Sequence, residues 1–66
     1  MSEKALLIAR EEILNTIQKN YPDTSYAEAS KLATNLLNII DWDNPALMHK
    51  DMEWITMFYM RQSVGA

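Results

Sequence analysis

The only histidine of the chain, His49, is the first residue to examine for chemistry, because imidazole can act as a base or bind a metal. Glu53 follows four residues later, so on one helix the two side chains would share a face. Zinc sites need at least three protein ligands, and no third ligand is apparent in the sequence. We therefore expect a solvated pair of helix side chains, with no metal and no other cofactor.

The remaining polar residues do not form a recognisable catalytic set. Glu11–Glu12 and Asp41 with Asp43 are paired acids, but nothing in the sequence predicts a pocket that would perturb their pKa values. A nucleophilic site would need a serine or cysteine beside a histidine and an orienting acid. The chain contains no cysteine and one glycine, Gly65, which excludes a glycine-rich phosphate loop. We do not expect an enzyme.

Charge disfavours nucleic acid as a partner. Six basic residues are scattered along the chain against nine acidic ones, giving a net charge of −3, whereas affinity for nucleic acid comes largely from clustered Lys and Arg. One alternative is a dimeric regulator of the helix-turn-helix type, which would read DNA with its third helix. Another is an acidic protein that imitates nucleic acid, although the acids are spread rather than aligned.

With 66 residues the chain is expected to form a single small domain, residues 1–66. In a domain of this size the burial of apolar surface barely offsets the loss of conformational entropy, so small domains often depend on disulfides, a metal or a partner chain. Without cysteine and with a single histidine, the remaining sources of extra stability are association with another chain or very good helix packing. No stretch approaches the roughly 20 apolar residues of a membrane span, and the short apolar run 5–9 does not resemble a signal peptide. A cytoplasmic protein is expected.

Two prolines, Pro22 and Pro45, divide the chain into three segments that each read as a helix. Ser25 with Glu28 forms a capping box, and Asn44 before Pro45 is a typical helix start. The patterns predict an all-α three-helix bundle with helices near residues 2–19, 25–40 and 45–62.

The third predicted helix is apolar on nearly all sides. Its helical projection places Trp54, Ile55 and Phe58 on the inner face and puts Met57 and Met60 outside. A helix that is apolar all round is normally buried on both sides, which three short helices cannot provide. The two methionines are either ordinary exposed apolar residues or part of a contact with another chain. The partner-binding candidates are Ile8, Trp54, Met57, Tyr59 and Met60.

A charged residue interrupts the apolar face of two of the predicted helices: Arg10 in the first and Asp51 in the third. Alone, each charge would be costly to bury. They either form a structural ion pair between the two helices, which would fix the register of packing, or lie separately at the rim of the core, with Arg10 extending its stem to solvent.

These observations favour a small acidic protein–protein interaction module. It would act as a regulator or inhibitor that binds a larger protein, self-associates as a homodimer through the third helix, or does both. No membrane partner is expected.

Overall fold

The computed structural model describes residues 2–64 of the chain, with side chains described for residues 2–62. Over this range the protein is all-helical and contains no strand, which confirms the all-α part of the prediction. Three long helices and one short helix follow each other along the chain: α1 (Glu3–Asn20), α2 (Tyr26–Ile39), α3 (Pro45–Met48) and α4 (Met52–Val64).

The ends of α1 are set by local chemistry. Its first turn is capped by Ser2, whose Oγ accepts a hydrogen bond from the backbone N–H of Ala5 at 3.1 Å. Tyr21 terminates it with φ −130° and ψ 70°, because Pro22 disfavours helical conformation in the residue before it. The start and end agree with the sequence prediction to within one residue.

The start of α2 also follows the prediction. Ser25 Oγ accepts a hydrogen bond from the backbone N–H of Glu28 at 3.2 Å, which satisfies one of the free donors of the first turn. Ser25 itself has the extended conformation expected of a cap, with φ −66° and ψ 157°.

The predicted third helix, residues 45–62, is wrong as a continuous element. It begins as expected, with Asn44 Oδ1 accepting a hydrogen bond from the N–H of Ala46 at 3.0 Å, but α3 ends after one turn at Met48. The backbone N–H of Lys50 then bonds to the carbonyl of Leu47 at 2.9 Å, a tight turn that stops the α-helical pattern.

Asp51 starts the next helix. Its Oδ1 accepts a hydrogen bond from the backbone N–H of Trp54 at 2.8 Å, and its carbonyl accepts from the N–H of Ile55 at 3.1 Å. This is the arrangement of an N-cap, in which a short acidic side chain satisfies a free N–H and interacts favourably with the helix dipole. The charge that seemed misplaced in an apolar face therefore marks a helix boundary.

The core forms where α1 packs against both α2 and α4. α2 contributes two fully buried alanines one turn apart, Ala29 and Ala33, whose small side chains let the backbone of a neighbouring helix approach closely. The buried cluster contains residues of α1, α2 and α4 together with the residue that caps the C-terminus of α2. Its members are Ile13, Leu14, Ile17, Ala29, Ala33, Leu36, Ile40, Ile55 and Met60.

The orientation of α4 differs from the predicted one. Ile55, Thr56 and Met60 are its buried residues, whereas Trp54 and Phe58 are exposed. The prediction had assigned Trp54 and Phe58 to the inner face and Met60 to the outer one, so those three assignments are wrong. Because α4 begins anew at Met52, its rotation about its axis is independent of the face that Leu47 presents in α3.

Thr56 is the exceptional residue of this core. It is fully buried, and its Oγ1 has no hydrogen-bond partner among the described residues. A buried hydroxyl without a partner loses its hydration and gains nothing in return.

Replacing Thr56 with valine should therefore raise the free energy of unfolding, by about 1 kcal/mol, because the shape is kept while the unpaired hydroxyl is removed. Thr56→Ser keeps the hydroxyl and deletes a methyl group, so it should lower the free energy of unfolding by about 1 kcal/mol. Urea denaturation of the two variants and the parent measures both effects. A valine variant less stable than the parent would contradict this account of Thr56.

Asp51 gives a second prediction, in which Asn serves as the control for Ala. Asp51→Ala removes the cap and should lower the free energy of unfolding by about 1 kcal/mol, whereas Asp51→Asn should lose at most about half of that because Asn caps helices as well as Asp does. Thermal or urea unfolding followed by circular dichroism makes the comparison. Equal losses in the two variants would show that the charge of Asp51, rather than its capping bond, is what matters.

Candidate functional site

A pair of stacked aromatic rings dominates the outward side of α4. Trp54 and Phe58 lie one turn apart with ring centroids 5.3 Å apart and ring planes inclined by 9°. They remain 44% and 36% exposed, respectively. Stacked aromatic rings present a large, flat and rigid apolar surface, and residues of this type contribute much of the binding energy in protein interfaces.

A shallow groove of about 310 Å³ runs along this side of the helix. We call it the outer α4 groove; it is lined by Asp51, Glu53, Trp54, Met57, Phe58 and Arg61. Its middle is apolar, formed by the two aromatic rings and the half-buried side chain of Met57. Both acids lie at the N-terminal end and the base at the C-terminal end, so the groove is charged oppositely at its two ends.

Lys50 extends the aromatic row toward the turn before α4. Its Nζ lies 5.1 Å from the centroid of the Trp54 ring, within the distance at which an ammonium group is attracted to the face of an indole. Lys50, Trp54 and Phe58 thus follow one another at four-residue intervals. At the other end of the row, Phe58 meets the ring of Tyr59 edge to face, with ring centroids 5.5 Å apart.

The structure brings together two of the five predicted partner-binding residues, Trp54 and Met57, in the outer α4 groove. Ile8 is 55% exposed, but it belongs to α1 and does not line this groove. Phe58 completes the groove although the sequence analysis had placed it in the core. Its four-residue spacing from Trp54 was the available signal, since residues so spaced on a helix lie side by side.

The other two predicted partner-binding residues, Met60 and Tyr59, make contacts within the chain. Met60 is only 2% exposed and belongs to the core cluster, so its predicted position on the outer face is wrong. Tyr59 is partly buried against the same cluster, and its hydroxyl accepts a hydrogen bond from the backbone N–H of Asp41 at 3.2 Å. That bond ties α4 to the segment that follows α2.

Arg10 and Asp51 do not form the proposed ion pair, because each has another partner. Arg10 Nε donates to Thr34 Oγ1 at 3.1 Å, and its Nη2 donates to Ser30 Oγ. The guanidinium group therefore binds two hydroxyls one turn apart on α2, while Asp51 caps α4. The sequence analysis predicted no partner for Arg10 on α2, because this contact joins residues 24 and 20 positions apart.

A different ion pair joins α1 to α4. Lys19 Nζ lies 3.3 Å from Glu53 Oε2, and both side chains are exposed. An exposed pair of this kind is screened by solvent and contributes little to stability. Glu53 therefore remains available at the edge of the outer α4 groove.

His49 and Glu53 do not share a helix face, since His49 lies in the turn between α3 and α4. The solvated pair expected from their spacing is thus not formed as a helix pair. Among the described residues, no group of three or more His, Cys, Asp or Glu side chains is arranged to hold a metal ion.

Comparison with known proteins identifies no matching family model, no similar curated protein and no similar solved structure. None of the helices formed within residues 2–64 combines the length and the apolar character that crossing a bilayer requires.

The contrast between Met60 and Trp54 gives a direct test of which side of α4 is buried. Met60→Ala should lower the free energy of unfolding by about 2–5 kcal/mol, as expected for truncating a buried methionine. Trp54→Gln, on the exposed side, should cost about 1 kcal/mol or less. Urea unfolding at low chain concentration, where self-association is negligible, measures both. The reverse order of losses would mean that α4 is rotated from the orientation described.

Proposed function

We propose that the chain is a non-catalytic protein–protein interaction module that binds another protein chain through the outer α4 groove. The observation that carries this proposal is the stacked Trp54–Phe58 pair, exposed beside Met57 on a helix whose opposite side is already buried. Exposed apolar groups that are contiguous and bordered by charged residues are typical of protein interaction sites.

The composition of the groove supports this type of partner. Aromatic residues and methionine are enriched in the centres of protein interfaces, and the flexible thioether of methionine adapts to different partner surfaces. The charged residues Asp51, Glu53 and Arg61 lie at the ends, where they would form the rim of a contact. A helical partner would fit such a groove with apolar residues spaced by three or four positions.

The contact is proposed to be regulatory. A chain of 66 residues can influence a larger protein by covering part of its surface, in the manner of a regulator or inhibitor. The small size and acidic composition of the chain support this regulatory role. The nucleic-acid alternatives have weaker support, because the groove carries two acids and one base and its middle is apolar.

For the fold, we propose that α1, α2 and α4 form a three-helix bundle with a single core. The support is that one buried cluster draws residues from all three helices. In such a bundle Met60→Ala should lower the melting temperature of all three helices together, in one cooperative transition. Loss of helicity limited to α4 would contradict a shared core.

The proposed binding surface can be tested by photo-crosslinking. Phe58→p-benzoylphenylalanine keeps the phenyl ring of Phe58 in the outer α4 groove and adds a photoreactive benzoyl group to it. Irradiation in native cells should then produce covalent adducts with another protein chain, identified by gel shift and mass spectrometry. A second substitution in the same chain, Trp54→Ser, should abolish these adducts because it removes half of the aromatic stack.

Tyr26 provides the matched control. It is an aromatic residue on α2 that is 64% exposed and lies outside the groove. Tyr26→p-benzoylphenylalanine carries the same probe with at least equal access to solvent, so it reports random collisions. Equal yields of adduct from positions 58 and 26, or none from position 58, would refute the proposed function.

A further inference from the structure

We propose that the outer α4 groove binds a second copy of this chain, with the two α4 helices antiparallel about a two-fold axis. This inference rests on the proposed function and names the partner. It is drawn from the distribution of charge along the groove, from the position of its apolar centre, and from the small size of the domain.

The charged residues of the groove make it complementary to the same groove of a second copy in the reversed orientation. Asp51 and Glu53 line its N-terminal end, and Arg61 lines its C-terminal end. Lys50, which lies over the Trp54 ring beside these acids, reduces the negative charge of that end from two to one but does not reverse it. Turning α4 end for end therefore still exchanges a negative end for a positive one. When two copies face each other in antiparallel orientation, Arg61 of each copy lies level with Glu53 of the other, and Asp51 follows about 3 Å further along the helix. In a parallel pair, like charges would instead face each other, which opposes association.

The apolar residues lie at the centre of this charge pattern. Met57 is four residues from Glu53 and four from Arg61, so a two-fold axis passing near Met57 brings Glu53 and Arg61 of opposite copies to the same level. Glu53 and Arg61 are about 12 Å apart along the helix, at 1.5 Å per residue. Trp54 and Phe58 of each copy lie within this span, where the partner's rings would cover them. A two-fold axis of this kind gives the isologous contact that is commonest among homodimers.

The Lys19–Glu53 pair does not oppose this arrangement. Both side chains are exposed, so Glu53 can turn toward a second base with little loss. Asp51 caps α4 through its Oδ1, and its charge at the helix N-terminus still attracts an arginine from the second copy.

The size of the contact predicts a weak dimer. α4 has 13 residues, whereas a standard interface involves about 20–30 residues on each side. We therefore expect a dissociation constant in the micromolar range. Sedimentation equilibrium of the purified full chain, from about 5 to about 500 µM, should show the mean mass rising from one chain toward two.

Charge reversal tests the antiparallel arrangement specifically. Arg61→Glu and Glu53→Arg should each weaken the dimer by about tenfold or more, because each places like charges at the same level on both sides of the axis. Combining both in one chain, Glu53→Arg/Arg61→Glu, recreates opposite charges across the axis and should restore the dissociation constant to within about threefold of the parent value. In a parallel dimer, none of these variants would show this pattern of loss and rescue.

Lys31→Glu is the matched control for net charge. Lys31 is exposed on α2, and its replacement changes the net charge from −3 by the same two units as Arg61→Glu does. It should leave dimerisation unchanged, and circular dichroism should show all variants folded, since the substituted side chains are exposed.

Three outcomes overturn the inference: a parent chain that stays monomeric over the whole range, a double variant that is not rescued, or a Lys31→Glu variant that weakens the dimer as much as Arg61→Glu does. If the purified chain is monomeric while Phe58→p-benzoylphenylalanine still forms adducts with a different protein in cells, the second-copy inference fails and the proposed function stands. If neither dimer nor adduct is found, both fail.

Discussion

The hydrogen bond from the Trp54 N–H to the carboxylate of Asp51 fixes where α4 begins and which way it faces. Each helical residue turns the side-chain direction by about 100°, so the start of the helix and its packing on α1 determine the side on which every later residue lies. With α4 starting at Met52, Thr56 and Met60 turn toward the core and Trp54 and Phe58 turn away from it. The core and the outer α4 groove therefore lie on opposite sides of the same helix, and the rotation of α4 determines both.

Leaving two aromatic side chains exposed costs folding free energy that a chain of this size can hardly spare. Burying a phenylalanine side chain contributes about 1.5–3 kcal/mol, against a total stability of about 5–15 kcal/mol for ordinary domains. The chain leaves Phe58 and Trp54 exposed while it buries Thr56 without a hydrogen-bond partner. Placing the aromatic residues outside is understandable when another surface covers them, which links the energetics of folding to the proposed binding role.

The features that sequence analysis predicted well are those controlled by neighbouring residues. Ser2, Ser25 and Asn44 each accept a backbone hydrogen bond within three residues, so their caps can be read directly. The orientation of α4 could not be read in this way, because a helix that is apolar on nearly all sides gives little periodic signal. The signal for the start of α4 was Asp51, a typical N-cap residue. The sequence analysis instead treats it as a charge within the apolar face of a longer helix. The contact of Arg10 with α2 depends on residues 20 and 24 positions away and on the tight α1–α2 packing that the alanines of α2 permit.

The two tryptophans of the chain lie in different surroundings. Trp42 is partly buried against the core, with its indole N–H donated to the carbonyl of Leu37 at 3.1 Å, whereas Trp54 lies open to water beside Lys50. Indole fluorescence responds to contact with water, so we expect the two residues to emit at different wavelengths. With phenylalanine in place of Trp42, the remaining indole emission would come from Trp54 in the outer α4 groove alone. The molecule thus carries an optical reporter at its own candidate binding surface, and no added label is needed to see that surface become covered.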